Sequence, residues 1–354
     1  MQLKDLALLS NGLLNGSSLE VAEFSIDTRS LKKGEVYIAI EGENFDGHDF
    51  IEEAEKKEAA ALIVSKAISS YLPFIIVNNT LDFMKTIAVH NRSYFNGDVI
   101  GITGTNGKTT SKQILSNLLS KIHKTHKTDG NKNNHIGVPF SMLNMENRYK
   151  SSVIEIGTSQ VGEIRGLTNL VKPNIAAITN VSSGHLEGLK DTDSIASEKG
   201  DILKFHIPDG IAVLPRDSNF FNYWSNITNA KKIVSFGFHE NSDFKVMSPI
   251  IDVKHNLTSF QLIHDGLKEE CLINGVGTHN TLNAALGLAI SSLLGLKISE
   301  VKEALRDVDF PERRLSIHKS IGNSILIDDS YNSNPGSMKR SIDVIDSMPK
   351  YKKI

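Results

Sequence analysis

From Asp98 onward, short apolar runs alternate with amphipathic stretches. "DVIGITG" (98–104) is a predicted strand ending in glycine. "TTSKQILSNLLSKIH" (109–123) sets Ile114, Leu118, Leu119 and Ile122 at helical spacing. Further apolar strands are expected at "SSVIEIG" (151–157), "NIAAITNV" (174–181) and "IAVLP" (211–215), with helical or polar segments between them. Strands alternating with helices imply α/β architecture, a parallel sheet covered on both faces. Between about 231 and 275 helix signals thin out. "KIVSFGF", "LTSFQLIH" and "EECLING" predict an antiparallel flank on that sheet.

Upstream, "GEVYIAI" (34–40) and "AALIVS" (60–65) are predicted strands with a helix, "DFIEEAEKKEA" (49–59), between them. Downstream of "PERRLSI" (311–317), "NSILIDDS" predicts one strand and "NPGSMKRSIDVIDSM" one helix. The expected division is a small α/β domain over 1–95, a central domain over 96–312 and a third region over 313–354. One strand and one helix enclose no core. Open strand edges and an uncovered apolar helix face (Ile342, Val344, Ile345) are therefore expected there.

Bulk composition narrows the classes. The 354 residues suffice for two or three domains, and 40% hydrophobic with 23% charged residues is ordinary for a globular chain. A formal net charge of -2 gives no support to a nucleic-acid binder working through a global positive field. The single cysteine, Cys271, forms no internal disulfide and is expected as a small buried hydrophobe in a reducing compartment. The N-terminus lacks a signal-peptide pattern, and the apolar stretch Leu282 to Leu296 is too short and too interrupted to span a bilayer. A buried helix and a cytoplasmic location are expected.

"GITGTNGKTTS" (101–111) carries the strongest chemistry. A glycine turn between a strand and a helix points backbone N–H groups at phosphate oxygens, at the positive end of the helix. Gly104 and Gly107 allow close approach of the backbone. Lys108 is placed to contact the terminal phosphates, and the Thr109 hydroxyl to hold Mg²⁺. The strict G-x-x-x-x-G-K-[ST] pattern fails at Ile102, where the first glycine should stand, while G-x-x-G-K-T is met. In an open parallel sheet, ligands bind beyond the carboxyl ends of the strands. Glu155, Asn180 and His185 are therefore expected near this loop, with Glu155 and His185 as candidate Mg²⁺ ligands. Taken alone, Lys199 in "SIASEKGDIL" reads as a solvated helix lysine.

Together these strings resemble the Mur ligase family, whose members join amino acids to the UDP-linked peptidoglycan precursor. "GTNGKTT" is shared across the family. "SIDTRSLKKGEVYIAIEGENFDGHDFI" (25–51) is similar to its N-terminal uridine-nucleotide region. "DGNKNNHIGVP" (129–139) and "IDDSYNSNPGSM" (327–338) resemble segments of the branch that adds D-alanyl-D-alanine to UDP-N-acetylmuramoyl-tripeptide. The resemblance covers essentially the whole chain. It implies an ATP- and Mg²⁺-dependent ligase working through an acyl phosphate, with UDP-N-acetylmuramoyl-tripeptide and D-alanyl-D-alanine as partners.

Residue by residue, it implies nucleotide contacts from Gly104, Thr105, Asn106, Gly107, Lys108, Thr109 and Thr110. Asn280 matches the asparagine at the adenine, Arg313 or Arg314 an arginine near the nucleotide, and Asp329 the aspartate on the ribose. Glu155 and His185 match magnesium ligands, and Lys199 a lysine that the family carbamylates. Asp27, Thr28 and Arg29 fall in the uridine-diphosphate region, and Asn133 and Asn134 in the loop near the muramoyl-peptide.

Two departures stand out. Ser159-Gln160 replaces an Asn-His pair common in that branch. The family's Rossmann-like third domain is represented by little sequence, so a polypeptide ending at Ile354 is expected to bind nucleotide weakly and to ligate nothing. The alternatives are another Mur-type or a folylpolyglutamate-type ligase, and a nucleotide-binding protein without ligase activity.

Overall fold

The computed structural model describes residues 1–42, 44–182, 191–204, 209–310, 312–320, 324–331, 335–346 and 348. The chain forms two compact units. One comprises residues 1–96 with 135–147, and the other residues 97–134 with 148–354.

The first unit runs α1 (Leu3–Leu9), β1 (Leu13–Asn15), β2 (Phe24–Ser25), β3 (Val36–Ile38), α2 (Ile51–Lys56), β4 (Ala61–Val64), β5 (Phe74–Ile76) and α3 (Thr80–Tyr94). Its sheet has the order β1-β5-β4-β3-β2, parallel except for β1. The side chains of β4 are buried on both faces, as helix-covered parallel strands require.

The second unit opens with β6 (Asp98–Thr103), α4 (Lys108–Ser120) and β7 (Thr125–Lys127). The chain then leaves it for α5 (Gly137–Leu143), where Phe140 and Leu143 join the core of the first unit. It returns through β8 (Ser151–Glu155), α6 (Glu163–Val171), β9 (Ile175–Ile178), α7 (Thr192–Lys204), β10 (Ile211–Pro215), α8 (Phe221–Ile227) and β11 (Lys232–Gly237). The strands β12 (Phe244–Asp252), β13 (Leu257–His264) and β14 (Leu267–Asn274) follow, then α9 (Thr278–Leu293) and α10 (Ile298–Val301).

The nine strands pair in the order β14-β13-β12-β11-β10-β9-β6-β8-β7. Burial follows the pairing type. β8 and β9 are buried at every position, whereas β13 alternates buried and half-buried residues because one face of the antiparallel flank is open. The flank begins later than the sequence suggested. β11 pairs parallel to β10 and β12 parallel to β11, so the antiparallel pairs are β12–β13 and β13–β14. A helix, α8, joins β10 to β11, and such a crossover returns the chain in the parallel direction. Leu282 to Leu296 falls largely within α9, which is packed into the main core as a buried helix. Burial also pushes the Cys271 thiol up to about 12.

The region after residue 312 departs from the expectation of a lone strand. β15 (Ser316–Lys319) and β16 (Ile325–Asp328) form an antiparallel hairpin, followed by α11 (Pro335–Asp346). Val344 is 2% exposed and packs with Val253, Val276, Leu315 and Met348, beside Ile317, Ile325 and Ile327. The apolar face of α11 is thus covered at Val344, while Ile342 stays 53% exposed as expected. The hairpin supplies the missing partner strand, and the turn before α9 supplies the missing apolar surface.

Val344→Ala removes two buried methyl groups at this junction and should cost about 2 kcal/mol of local stability. Amide hydrogen exchange should quicken along α11 and β16, with α4 and β6 unchanged.

Candidate functional site

In the nine-stranded sheet β6 lies between β9 and β8. Ile102 is in register with Glu155 and Thr103 with Ile178. The loop after β6 therefore emerges between the ends of those two strands, and each end acts on it.

On the β9 side the loop is clamped. Thr105 N–H donates to the Asn180 carbonyl at 2.9 Å and Asn106 N–H to Asn180 Oδ1 at 3.1 Å. The Asn106 carbonyl accepts from Thr179 Oγ1 at 2.6 Å and from Asn180 Nδ2 at 2.8 Å. Asn106 Nδ2 reaches Ser182 Oγ at 2.9 Å. The approach is close enough to require glycine. A Cβ on Gly104, whose φ is +148°, would stand 1.8 Å from Thr179 Oγ1. At Gly107, with φ +80°, it would stand 2.6 Å from Asn283 Oδ1.

On the β8 side a buried polar group lies under the N-terminus of α4. Glu155 Oε1 accepts from the Thr109 hydroxyl at 3.0 Å and from Asn133 Nδ2 at 2.7 Å. Its Oε2 lies 3.0 Å from Lys112 Nζ, both side chains being almost wholly buried, and Lys112 also donates to the Gly130 carbonyl at 2.6 Å. A buried ion pair of this kind needs such extra hydrogen bonds to offset its desolvation. Lys112 went unnoticed in the sequence because its polar character hides the burial that packing imposes. Lys108 folds back over the loop, donating to the Gly104 carbonyl at 2.8 Å and the Thr105 carbonyl at 3.0 Å. Burial lowers its pKa. Glu155 opposes that shift and Arg314 adds to it.

A cleft of about 280 Å³ opens over this loop. Thr105, Asn106, Gly107, Lys108, Thr109 and Thr110 line it with Asn133, Glu155, Asn280, Arg314 and Asp329. The doubled arginine separates cleanly. Arg314 Nη2 donates to Thr109 Oγ1 at 3.3 Å, and its guanidinium lies 4.1 Å from the centre of the Tyr331 ring. Arg313 is exposed with φ +62°, turning away through a hydrogen bond from its N–H to Ser316 Oγ. Asp329 is held by two hydrogen bonds. It accepts from Leu315 N–H at 3.2 Å and from the Ser341 hydroxyl at 2.6 Å. Asn280, on α9, donates to the Val276 carbonyl at 2.8 Å and leaves its oxygen toward Asn283.

Lys199 contradicts its plain reading as a solvated lysine. It is 0% exposed on α7, and its Nζ has no hydrogen-bond partner among the described residues. Burial drives its pKa well below the usual lysine value. The charge of Lys108 adds to the fall, and Glu198 opposes it. His185 lies outside the described residues. Among the described residues no three His, Cys, Asp or Glu side chains gather into a metal-binding group. Asn134 is exposed on the loop beside Asn133. Ser159 and Gln160 are exposed, and their N–H groups both bond to Glu163 Oε2, at 2.5 and 3.0 Å.

Asp27, Thr28 and Arg29 belong to the first unit, after β2. Arg29 grips Asp27 through Nε at 2.9 Å and Nη2 at 2.7 Å, and Lys57 Nζ donates to the carbonyl of buried Thr28 at 2.6 Å.

A parallel sheet whose glycine loop runs into a helix N-terminus, with a lysine inside it and a carboxylate on the next strand, defines a P-loop nucleotide-binding fold. The comparisons with known proteins narrow this class. A model of the Mur ligase middle domain matches residues 102–291, and one of the Mur ligase family catalytic domain matches residues 20–89. The UDP-N-acetylmuramoyl-tripeptide--D-alanyl-D-alanine ligase of Buchnera aphidicola subsp. Acyrthosiphon pisum is 34% identical over 352 residues, 99% of this chain and 77% of that protein. The structure of MurF from Acinetobacter baumannii superposes with a TM-score of 0.86 at 26% identity, over 97% of this chain and 76% of that one. MurF ligase from Thermotoga maritima in complex with ADP gives 0.79 at 28% identity, over 93% and 75%. The chain belongs to the Mur ligase family.

Gly104→Ala sets a Cβ 1.8 Å from Thr179 Oγ1 at a φ of +148°, so either Thr179 gives up its hydrogen bond to the Asn106 carbonyl or the loop shifts. Nucleotide affinity should fall at least about tenfold, roughly 1.4 kcal/mol, with the circular dichroism spectrum retained. Titration calorimetry with ATP measures the loss.

Proposed function

We propose that the chain is an ATP-dependent ligase joining D-alanyl-D-alanine to UDP-N-acetylmuramoyl-tripeptide in the cytoplasm, in the synthesis of peptidoglycan precursor. The named relatives and the P-loop unit support the reaction class. The observation that carries the reading furthest is Lys199, a fully buried amine with no hydrogen-bond partner among the described residues. Burial and the nearby charge of Lys108 disfavour the ammonium and favour the neutral amine, which is the nucleophilic form. Addition of that amine to CO₂ forms an N–C bond and releases a proton. The cation-forming side chain becomes an anionic oxygen ligand. Nucleotide binding alone gives no reason to bury such a group.

These residues fit a Mg²⁺ ion. The Thr109 hydroxyl and the Glu155 carboxylate stand 3.0 Å apart at the N-terminus of α4, and a carbamate oxygen on Lys199 and a ring nitrogen of His185 would complete the donor set. When bound, the ion supplies charge neutralisation for the triphosphate.

The chain's own groups do the rest. The loop 104–110 orients the phosphates through backbone N–H groups, and Lys108 neutralises the charge that builds on the transferred phosphoryl group. Arg314, the arginine inside the cleft, takes the nucleotide role that the doubled pair left open, and Asn280 and Asp329 hold base and ribose. The terminal carboxylate of the tripeptide takes the γ-phosphoryl group and ADP leaves. The resulting acyl phosphate is attacked by the amine of D-alanyl-D-alanine, and phosphate departs. Asn133 and Asn134 position the peptide. Asp27, Thr28 and Arg29 of the first unit hold the uridine diphosphate. The functional division is 1–95 for the UDP substrate, 96–312 for ATP and 313–354 as part of the ligase domain.

The test is amide formation from ATP, UDP-N-acetylmuramoyl-tripeptide and a panel of amines. D-alanyl-D-alanine should be the preferred amine, and a stronger response to glutamate or a diamino acid would overturn the assignment. In the same assay Lys199→Ala should lose on the order of a hundredfold, the scale of one well-placed electrostatic group. Added acetate or formate should restore part of it. Full activity of Lys199→Ala would sink the carbamate.

A further inference from the structure

The ATP reading uses two cations of the cleft, and both are already engaged. Lys108 donates to two loop carbonyls, and Arg314 to the Thr109 hydroxyl while stacked on Tyr331. A third cation lines the same cleft, Arg340 on α11. Ser337, Arg340, Ser341 and Val344 recur at the three- and four-residue spacing of one helix face. Val344 anchors that face in the core beside Val276, and Ser341 fastens it to Asp329. Arg340 is therefore aimed by a fixed element rather than by a free chain end.

The Arg340 side chain is half-buried, and its guanidinium makes no hydrogen bond or ion pair among the described residues. Asp343, three residues along the helix, is the opposing charge that acts on it among the described residues. None of its nitrogens is a buried atom without a partner, so water serves them until a group that can stack on the plane or accept from it enters the cleft.

Its surroundings say which part of a nucleotide it faces. The charge of Arg340 acts on His279, whose pKa falls to about 4 through burial first and that charge second. Val344, one turn further along α11, packs with Val276 just before α9, and Arg340 lines the cleft together with His279 and Asn280 of that helix. The walls there are a neutral imidazole, the carboxamide of Asn280 and the ring of Phe310. Such walls suit a flat heteroaromatic group and offer nothing to a polyphosphate. A guanidinium plane can stack on the face of a purine.

We infer that Arg340 contacts the purine base of the bound nucleotide, so that α11 contributes directly to ATP affinity and to the choice of base. The inference rests on the ATP reading above and adds to it a residue that neither the phosphate-loop pattern nor the resemblance marked.

The experiment compares ATP with inorganic tripolyphosphate, which shares the phosphates and lacks the base. Binding of each is measured by calorimetry on the whole chain, for the unaltered protein and for Arg340→Ala, Arg340→Lys and Lys108→Ala. Arg340→Ala should weaken ATP about tenfold, the scale of one stacked contact, and leave tripolyphosphate within about twofold. Arg340→Lys keeps the charge and the aliphatic stem, so it also serves should the alanine variant lose α11. Lacking the plane, it should follow the alanine variant. Equal losses for both probes would move the contact to the phosphates and overturn the inference, as would no loss for either. Lys108→Ala should weaken both probes. If it weakens neither, the ATP reading of the loop fails on its own account.

Discussion

The clamp between the phosphate loop and the end of β9 is the constraint on which the rest of this molecule depends. Two loop N–H groups and one loop carbonyl are committed to Asn180 and Thr179. The remaining N–H groups can converge on a ligand only because those three are fixed. The clamp in turn demands glycine at 104, and it exists only because β9 and β8 flank β6 in the sheet. Strand order, and not the glycine string by itself, turns a flexible turn into a preorganised anion site. The same order sets Glu155 on the other side of the loop, where Lys112 and Thr109 hold it under the helix N-terminus.

Charge around the cleft is arranged as graded satisfaction. Lys112 is fully paired and structural in character. Lys108 and Arg314 are held by neutral oxygens, so they stay in place while their charge remains available to phosphates. Lys199 and Arg340 have no hydrogen-bond partner among the described residues. A buried polar group left unsatisfied costs stability, and such groups mark where a protein anticipates a ligand or a modification. We propose CO₂ as the partner of Lys199 and a purine base as that of Arg340.

Much of this was legible in the sequence where local pattern and tertiary role coincide. The apolar run of β6, the glycines and the start of α4 are contiguous, so period and turn chemistry located the loop. Strand-end logic then pointed to Glu155 and Asn180. Legibility failed where the deciding contact is distant in sequence. β15 carries one apolar residue, Ile317, between polar neighbours and becomes a strand by pairing with β16. α5 lies between β7 and β8 in the chain yet packs in the first unit's core, which no local signal announces. The adjacent Arg313 and Arg314 are indistinguishable as letters, and the positive φ at Arg313 separates their directions. Lys199 and Lys112 look like solvated helix lysines, because burial is a property of the fold and not of the helix.

The central claim is that the nucleotide held in this clamp activates a carboxylate by phosphorylating it. Isotope transfer tests it most directly. The UDP-linked acceptor is prepared with ¹⁸O in its terminal carboxylate, the reaction is run with ATP and D-alanyl-D-alanine, and the released phosphate is examined by mass spectrometry. An acyl phosphate loses one carboxylate oxygen to phosphate each time the amine attacks, so each amide bond formed should leave one labelled phosphate. Amide formation accompanied by unlabelled phosphate would contradict the account, since the carboxylate would then have been activated by another route.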